Sequence, residues 1–496
     1  MGATFLPFGL GALGWIAFVP LLVVLDARLR SGASIRGAAG LGYLFGFVFF
    51  LIGTHWIAML NEVAITVPWL KYPAWVAAAA YLAIFPALGC AMAVALARHA
   101  RVGLALTFPL AFLVAEELRA SGEMGFPWFQ PGYSQWAFTP LIQMASLGSV
   151  TLVTLWLLVL NILIWRTWRG EARLRAALGV LLMIALPLLW GRKVIAAAPA
   201  GEGPRVALVQ ANIPGEIKWA GTHEREILAT FLRLSGKGAA TAPRPDLVIW
   251  PETATGSWMR KRLDQTLEVS GLAARTGVPI FSGFADYDYA SADRMLQRNS
   301  AGLFTTDGSL GPTYAKRHLV PFGERMPFQG LIPALGRIEL GQAEWTPGER
   351  VVLFPSPGGP FACLICFESI FPDLSREAVR AGATWLVNIT NDEWFGRSAA
   401  LEQHAAMAVF RAVENRVPVA RCANTGLSWI IDSRGRITAA APAFTEAVVT
   451  GVVSTSGPPT PFTRLGDWPG VACGTGVVLL SALAVFRALT ARAKPS

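Results

Sequence analysis

The chain has 496 residues, enough for two or three domains, and 53% of them are hydrophobic whereas only 15% are charged. With a mean hydropathy of +0.47, this composition excludes an ordinary soluble globular protein and indicates that part of the chain lies in a membrane. The 42 Lys and Arg outnumber the 32 Asp and Glu, but much of this excess flanks apolar runs and sets topology, so we expect no nucleic-acid partner.

Apolar runs with few charges recur through the first 191 residues, and one more lies near the C-terminus. Because a membrane helix needs about 20 apolar residues, we predict six membrane helices before a soluble region and one after it. The predicted spans are 4–25, 37–60, 73–97, 102–120, 139–165, 174–191 and 469–486. They predict a transmembrane domain at 1–195, a soluble domain at 196–465, and a C-terminal membrane helix with a cytoplasmic tail at 466–496.

Basic residues predict the orientation, since loops rich in Lys and Arg stay in the cytoplasm. Four basic groups follow the first, third, fifth and last spans, and all four fall on one side if every span crosses. They are Arg28, Arg30 and Arg36, then Arg98 and Arg101, then Arg166, Arg169, Arg173 and Arg175, and finally Arg487, Arg492 and Lys494. Only Arg192 and Lys193 oppose this orientation. The soluble domain is therefore predicted to face the periplasm.

The same orientation places Met1 outside the cytoplasm. No basic segment precedes the first apolar run, so no cleavable signal peptide is expected. We therefore expect one additional membrane helix upstream of Met1.

The segment between the membrane spans has the pattern of an α/β domain. Short β-rich runs are predicted at 205–210, 246–250, 279–284, 300–305, 351–354, 361–366, 384–389, 417–423 and 428–432. Helices are predicted at about 222–236, 260–276, 374–381 and 398–415. This alternation of strands and helices predicts a layered sheet structure covered by helices.

Three chemically distinct side chains follow strand-like runs in this segment. Glu252 follows Leu247–Trp250, Lys316 follows Tyr314-Ala315, and Cys366 follows Phe361–Ile365. A thiol, a carboxylate and an ammonium are the groups needed to form and stabilise an acyl-thioester.

Taken singly, each of the three side chains has a plainer explanation. Cys366 could be a buried structural thiol, as we expect for Cys363 and Cys422. Glu252 could cap a helix, and Lys316 could be a surface charge. Their order and flanking sequences together favour the catalytic interpretation.

These flanking sequences carry a family resemblance. Trp250-Pro251-Glu252, Tyr314-Ala315-Lys316 and Ile365-Cys366-Phe367-Glu368 resemble the three signatures of the nitrilase, or carbon–nitrogen hydrolase, superfamily. The resemblance implies an α-β-β-α sandwich with a Glu–Lys–Cys triad, inserted here between transmembrane helices.

A finer similarity is to the apolipoprotein N-acyltransferase family, the membrane-embedded branch of that superfamily, and it extends over essentially the whole chain. Shared stretches are Gln210–Pro214 with Lys218-Trp219, His318–Glu324, and Asn391–Gly396. Two features depart from the family pattern. The family typically has eight membrane helices, and the residue after the nucleophile is often Tyr, where Phe367 stands here. Phe367 has no hydroxyl group, so the only role expected to carry over at this position is one that depends on the aromatic ring.

The family resemblance implies a reaction in two steps. Glu252 takes the proton of Cys366, which attacks a phospholipid ester and becomes a thioester. Lys316, with a backbone N–H near Phe367, stabilises the oxyanion. The α-amine of an N-terminal diacylglyceryl-cysteine on an apolipoprotein then attacks the thioester and forms an amide.

Several further residues are expected to support this chemistry. By resemblance, Glu324 is a second essential glutamate, Glu368 is the acid near the nucleophile, and Trp219 lies over the pocket. Their alternatives are a surface loop acid, a structural salt bridge and plain packing, respectively. Asn388 and Asn391 are expected to line the pocket. We interpret His404, Arg411, Glu414 and Arg416, on one predicted helix, as a framework charge network at the surface.

The expected partners are a phospholipid acyl donor, a diacylglyceryl-modified apolipoprotein acceptor and the lipid bilayer, with the enzyme a monomer in a bacterial inner membrane. Loops 61–70 and 121–138 are expected to frame the lipid entrance. The second loop carries an aromatic set suited to the interface, namely Phe126, Trp128, Phe129, Tyr133 and Trp136.

Cofactors and metals are not expected, since no His/Cys cluster has the spacing of metal ligands. Two other functions stay open. One is a membrane-tethered amidase of the nitrilase type, which would hydrolyse small amides. The other is a transporter or scaffold whose soluble domain only binds a ligand.

Overall fold

Along the sequence, most of the helical segments lie before the segment that forms two β-sheets, and the last one lies after it. This computed structural model describes residues 1–5, 10–61, 67–197, 201–291, 294–337 and 344–492. The chain forms two units. The first comprises Met1–Ala58, Trp69–Ala196 and Arg464–Ser496, and the second comprises Met59–Pro68 and Ala197–Thr463.

Helices make up the first unit. The helices up to residue 196 are α1 Val19–Arg30, α2 Ile35–Gly53, α3 Lys71–Leu82, α4 Ile84–His99, α5 Leu104–Ala120, α6 Thr139–Ile142, α7 Ala145–Trp168 and α8 Arg173–Ala196. Near the C-terminus, a short helix at Pro461–Leu465 contains the boundary between the two units in the sequence, and a long helix at Trp468–Arg492 follows it in the first unit. Six stretches of the described chain are long and apolar enough to cross a membrane.

The predicted span 102–120 differs from the other six. It forms α5, which has 17 residues and at 1.5 Å per residue is about 26 Å long. The hydrocarbon core of a bilayer is about 30 Å thick, so 17 residues is at the lower limit for crossing it. The described residues therefore contain six stretches of full spanning length, where the sequence predicted seven.

The aromatic residues of loop 121–138 were expected at the membrane interface, but most of them pack inside the helical unit. Trp128, Phe129 and Tyr133 are buried. The ring of Phe129 packs edge-on against Phe5 with centroids 5.2 Å apart. These side chains are therefore packing residues of the unit. Residues 62–66 of the other expected entrance loop lie outside the described residues.

Two six-stranded sheets form the centre of the second unit, in the orders β12-β1-β2-β3-β4-β5 and β11-β10-β9-β8-β7-β6. The strands are β1 Glu202–Gln210, β2 Leu247–Ile249, β3 Ile280–Ser291, β4 Arg294–Phe304, β5 Leu310–Ala315, β6 Leu353–Phe354, β7 Phe361–Ile365, β8 Trp385–Thr390, β9 Val419–Ala423, β10 Ser428–Ile431, β11 Ile437–Ala441 and β12 Ala447–Ser454. The inner pairs β1–β2, β2–β3, β7–β8 and β8–β9 are parallel.

All nine predicted strands are present, and three others were not predicted among the β-rich runs. The three are β5, β11 and β12, and each lies at the edge of a sheet. Each of the three has few buried residues, so the apolar pattern that predicts an inner strand is weak in them.

Helices cover the outer faces of both sheets. The second unit contains α9 Gly215–Lys218, α10 Glu224–Ala239, α11 Leu263–Thr276, α12 Pro372–Arg380 and α13 Ala400–Asn415. Apolar side chains of α10 and α11 join the core of the first sheet, and α12 and α13 contact β7 and β9 of the second. Between the sheets, the ring of Phe281 packs 4.8 Å from that of Phe354 and 5.1 Å from that of Phe361. The predicted α-β-β-α order of layers is confirmed.

Candidate active site

Glu252 lies three residues beyond the carboxyl end of β2, where the chain turns sharply. The next residue, Thr253, has a φ of +43°. No helix begins at this point, so Glu252 is not a helix cap. Its carboxylate is buried and accepts hydrogen bonds from Asn299 Nδ2 at 2.7 Å and from the backbone N–H of Asn391 at 2.8 Å. Both oxygens are thereby held in fixed positions.

Lys316 directly follows β5 and is buried, with 1% of its surface exposed. Its Nζ lies 2.8 Å from Glu324 Oε1 and 3.5 Å from Glu252 Oε1. Burial by itself lowers the pKa of the ammonium. The negative charges of Glu324 and Glu252 outweigh this effect and raise the pKa above its ordinary value. Lys316 therefore stays positively charged, as an oxyanion-stabilising group requires.

Cys366 begins a 3-10 turn, Cys366–Ile370, immediately after β7. Its φ is +51°, a left-handed conformation that is costly for a residue with a Cβ and that clusters at active sites. Burial and the nearby charge of Glu252 raise the pKa of the thiol, while Lys316 opposes the shift. The thiol is therefore protonated at neutral pH and needs a base in order to attack.

Glu324 is brought to the same place as the three predicted catalytic side chains. One of its carboxylate oxygens accepts from Lys316, and the other accepts from the backbone N–H of Val320 at 2.8 Å. This side chain is 14% exposed. Glu324 is thus the main ionic partner of Lys316. This position does not agree with the alternative interpretation of Glu324 as an acid in a surface loop.

Glu368 is fully buried and connects the end of β5 to the nucleophile turn. Its Oε1 accepts from the Tyr314 hydroxyl at 2.8 Å and from the backbone N–H of Arg317 at 2.7 Å. Its Oε2 accepts from the backbone N–H of Ile365 at 2.7 Å. Burial raises the pKa of this carboxyl. All of these partners are neutral, so Glu368 forms no salt bridge through these contacts. It instead connects the two segments by hydrogen bonds.

The aromatic site residues occupy different environments. Phe367 is buried, and its ring centroid lies 5.3 Å from that of Phe371. Trp219 is 39% exposed and stacks on Trp394 with centroids 6.4 Å apart. Of the two, only Trp219 presents a large surface to its surroundings.

Asn388 lies inside the second sheet. Its Nδ2 donates to the carbonyl oxygen of Leu364 at 3.0 Å, and its Oδ1 accepts from Arg421. Both ends of the amide are therefore used within the fold, which indicates a structural role and not the pocket-lining role that was predicted. Asn391 lies closer to the chemistry, because its backbone N–H binds Glu252.

A buried polar network underlies the nucleophile turn. His404 Nε2 lies 3.1 Å from both Ser369 Oγ and the carbonyl oxygen of Cys366, and its Nδ1 lies 2.9 Å from Asp392 Oδ1. Arg421 pairs with the other oxygen of Asp392 at 2.6 Å. Burial lowers the pKa of His404, and the charge of Arg421 adds to the effect.

The surface location expected for the charge network of His404, Arg411, Glu414 and Arg416 is wrong for the first three, which lie in α13. His404, Arg411 and Glu414 are fully buried, and Arg411 pairs with Glu414 at 2.7 Å. Spacing along a helix shows which side chains share a face, but it does not show whether that face meets solvent or a sheet.

Asn299 was missed by sequence reasoning. It lies in β4 and holds one oxygen of Glu252. A signal was present, because Asn is uncommon within strands and here precedes a buried run, Ser300–Phe304. In the described residues, no group of three or more His, Cys, Asp and Glu side chains is arranged to hold a metal ion.

Two families match separate parts of the chain. The apolipoprotein N-acyltransferase N-terminal domain matches residues 1–163, and the carbon–nitrogen hydrolase family matches residues 205–456. The second match covers the two sheets and all three predicted catalytic side chains, so the nitrilase-like fold class is confirmed.

Two solved structures are each similar to about half of the chain. Nit3 of Saccharomyces cerevisiae, a member of branch 10 of the nitrilase superfamily, covers 51% of this chain and 90% of its own, with a TM-score of 0.39 and 20% identity. A carbon–nitrogen hydrolase from Helicobacter pylori G27 covers 55% of this chain and 95% of its own, with a TM-score of 0.40 and 15% identity.

Curated relatives match over nearly the whole length. A protein named apolipoprotein N-acyltransferase from Geobacter metallireducens is 35% identical over 487 residues, which is 97% of this chain and 92% of that protein. One of the same name from Methylococcus capsulatus is 34% identical over 484 residues, 96% of this chain and 94% of that protein. The similarity therefore includes the helical and the two-sheet parts together.

Proposed function

This chain belongs to the apolipoprotein N-acyltransferase family and is an acyltransferase, and from that premise we propose that its reaction passes through a thioester on Cys366. One observation supports this proposal. Lys316 contacts Glu252 at 3.5 Å, and the charges of both residues act on Cys366, whose backbone conformation is strained. Its substrates are a lipid and a lipoprotein. We further propose that the acyl donor is a phospholipid and that the acceptor is the α-amine of a diacylglyceryl-cysteine.

In the first half-reaction, Glu252 takes the proton of the Cys366 thiol as its sulfur attacks the ester carbonyl carbon. Lys316 stabilises the oxyanion of the tetrahedral intermediate. The carbon–oxygen bond of the ester then breaks, and Glu252 returns the proton to the leaving oxygen. The products are a thioester on Cys366 and a lysophospholipid.

In the second half-reaction, the acceptor amine attacks the thioester carbon. Glu252 removes a proton from the amine nitrogen, and Lys316 again stabilises the oxyanion. The carbon–sulfur bond breaks, and the sulfur recovers a proton from Glu252. The products are an amide on the lipoprotein and the free enzyme.

Hydrolysis of the thioester by water would waste the acyl chain, so both half-reactions benefit from a site that excludes water. The burial of Glu252, Lys316 and Cys366 is consistent with this requirement. Trp219, which stays partly exposed beside Trp394, is proposed to contact the lipid chains.

A phospholipid labelled in its acyl chain tests the thioester. We expect the detergent-solubilised enzyme to acquire label that hydroxylamine removes, and Cys366→Ala to acquire none. Cys363→Ala is the matched control, because Cys363 is also buried but lies inside β7; it should label normally. Label that persists in Cys366→Ala would contradict the proposal. Hydrolysis of small amides without labelling would support the amidase instead.

The location of the enzyme is proposed from the same premise. Its candidate membrane spans and its family make it a bacterial membrane protein. We propose the inner membrane, with the second unit in the periplasm, because the basic groups after the first, third and fifth predicted spans favour a cytoplasmic position for those loops. We also propose that the enzyme acts as a monomer.

A further inference from the structure

A second buried lysine, Lys218, lies beside the catalytic acid but has no part in the reaction proposed above. It is the last residue of α9 and is 2% exposed. Its Nζ donates to the carbonyl oxygen of Glu252 at 3.1 Å. This contact joins the segment before Trp219 to the turn that carries the base.

The surroundings of Lys218 do not explain its burial as a source of stability. An ammonium has three N–H donors, and within the described ranges Glu252 O is the only hydrogen-bond acceptor of this one. Glu252 and Glu393 act on it electrostatically, but neither forms an ion pair with it in the part of the chain described. The Nζ also lies over the ring of Trp219, 5.3 Å from its centroid. A cation–π contact supplies about 0.5–2 kcal/mol, which is less than the several kcal/mol that burial of an ammonium without an ion pair costs.

Lys218 contacts the turn that carries the catalytic base, so this contact can affect the position of the Glu252 carboxylate. Thr253, immediately after Glu252, has a φ of +43°, and Gly256 in the same turn has a φ of +69°. A Cβ on Gly256 would lie 2.4 Å from the carbonyl oxygen of Lys218. The turn and α9 are therefore in close contact, and Lys218 reaches across that contact to the base.

We propose that Lys218 is a positioning residue, which fixes the main chain of Glu252 so that its carboxylate is aligned with the Cys366 thiol. The inference rests on the proposed role of Glu252 as the base. Lys218 itself touches no reacting atom. Its hydrogen bond and its positive charge hold the turn of the base in one conformation through both half-reactions.

The proposal predicts that the reaction rate depends on pH through the protonation of Lys218. Burial lowers the pKa of the Lys218 ammonium to about 8, although the charges of Glu252 and Glu393 oppose this shift. Because the folded pKa lies below the unfolded one, the charged form costs stability at pH 7, and this cost disappears between pH 8 and the unfolded pKa. In the folded protein, the positive charge beside Glu252 is lost as the pH rises through about 8.

The test compares Lys218→Met and Lys218→Arg with wild type, and uses Lys237→Met, a lysine on the exposed side of α10, as control. We measure the thermal midpoint in detergent and the rate of thioester formation against lipid concentration and pH. For Lys218→Met we expect an unchanged or higher midpoint, a maximal rate lower by roughly 10- to 100-fold, and little change in KM. The wild-type rate should fall above about pH 8, this fall should be absent in Lys218→Met, and it should move to higher pH in Lys218→Arg.

Two results would overturn the inference. One is a Lys218→Met enzyme with the full rate. The other is a Lys218→Met enzyme whose rate and midpoint fall together, since that result indicates a purely structural lysine. Failure of the proposed function is separable, because it appears as label retained by Cys366→Ala whatever Lys218 does.

Discussion

At the scale of single residues, the candidate site is a set of buried charges whose positions depend on one another. Glu324 and Glu252 both act on Lys316, and two asparagines hold the carboxylate of Glu252. Removal of one partner from a buried ion pair leaves the other charge uncompensated and is strongly destabilising. Each substitution in this set therefore affects its neighbours before it affects the substrate.

Glu324→Gln is predicted to slow acylation while the protein stays folded. Both oxygens of Glu324 accept hydrogen bonds, one from Lys316 and one from the N–H of Val320. A glutamine amide must place its NH₂ group against one of these donors, which leaves a buried group unsatisfied at a cost of about 1–3 kcal/mol. The rate of thioester formation and the thermal midpoint are the measurements.

Glu324→Asp is the matched variant, because it keeps the charge and shortens the side chain by one CH₂. It should retain more activity than Glu324→Gln. Equal rates in wild type and Glu324→Gln would show that Lys316 does not need this carboxylate.

At the scale of elements, the site is made where strands end. Glu252, Cys366 and Asn391 follow β2, β7 and β8, which all belong to parallel pairs. β2 belongs to the first sheet and β7 and β8 to the second, so the site lies where the carboxyl ends of parallel strands from both sheets come together. The packing of strands behind the site therefore controls where the base lies.

Gly283→Ala tests this packing. Gly283 lies in β3, and a Cβ there would approach the Cα of Glu252, the carbonyl oxygen of Pro251 and the Cδ1 of Ile389 to 2.8 Å each. Two of these atoms belong to the backbone and cannot move independently of the turn that carries the base. We expect a loss of about 1–3 kcal/mol of stability and slower thioester formation.

Gly236→Ala in α10 is the control for the same change. Nothing lies within 4 Å of a Cβ at that position, and alanine favours a helix over glycine by up to about 1 kcal/mol. This variant should be as active as wild type and equally or more stable. If Gly283→Ala behaved the same way, the turn of Glu252 would not depend on its contact with β3.

At the scale of the whole molecule, a lipid acyltransferase requires its catalytic unit on the side of the membrane where its acceptor is found. The positions of the basic loops predict the orientation, and the cysteines offer a simple test of this prediction. All five cysteines are buried, so a membrane-impermeant maleimide should react only with an introduced, exposed one.

Thr306→Cys and Ser31→Cys place such a thiol in the second unit and in the loop after α1, and both positions are exposed. In cells with a permeabilised outer membrane, we expect labelling of Thr306→Cys alone. Ser31→Cys should label only after the inner membrane is opened. The reverse pattern would place the catalytic unit in the cytoplasm and contradict the proposed location.

The sequence by itself determined most of the local structure. Its apolar runs predicted the candidate spans, with α5 at the limit of length, and its β-rich runs predicted every inner strand of both sheets. The flanking sequences of Glu252, Lys316 and Cys366 indicated the fold class and the family. These features depend on the hydrophobic periodicity and the turn-forming residues of consecutive stretches of the chain. They can therefore be predicted without knowledge of any tertiary contact.

Only the tertiary structure decided which distant side chains meet. Four features depend on contacts between segments far apart in the chain. They are the edge strands β5, β11 and β12, the hydrogen bond from Asn299 to Glu252, the burial of His404 and the contact of Lys218 with Glu252 O. A residue's neighbours along the sequence do not specify such pairings, because long-range contacts form only when the sheets close and the loops around them are ordered. For that reason the sequence could identify the reacting groups, but not the residues that hold them in place.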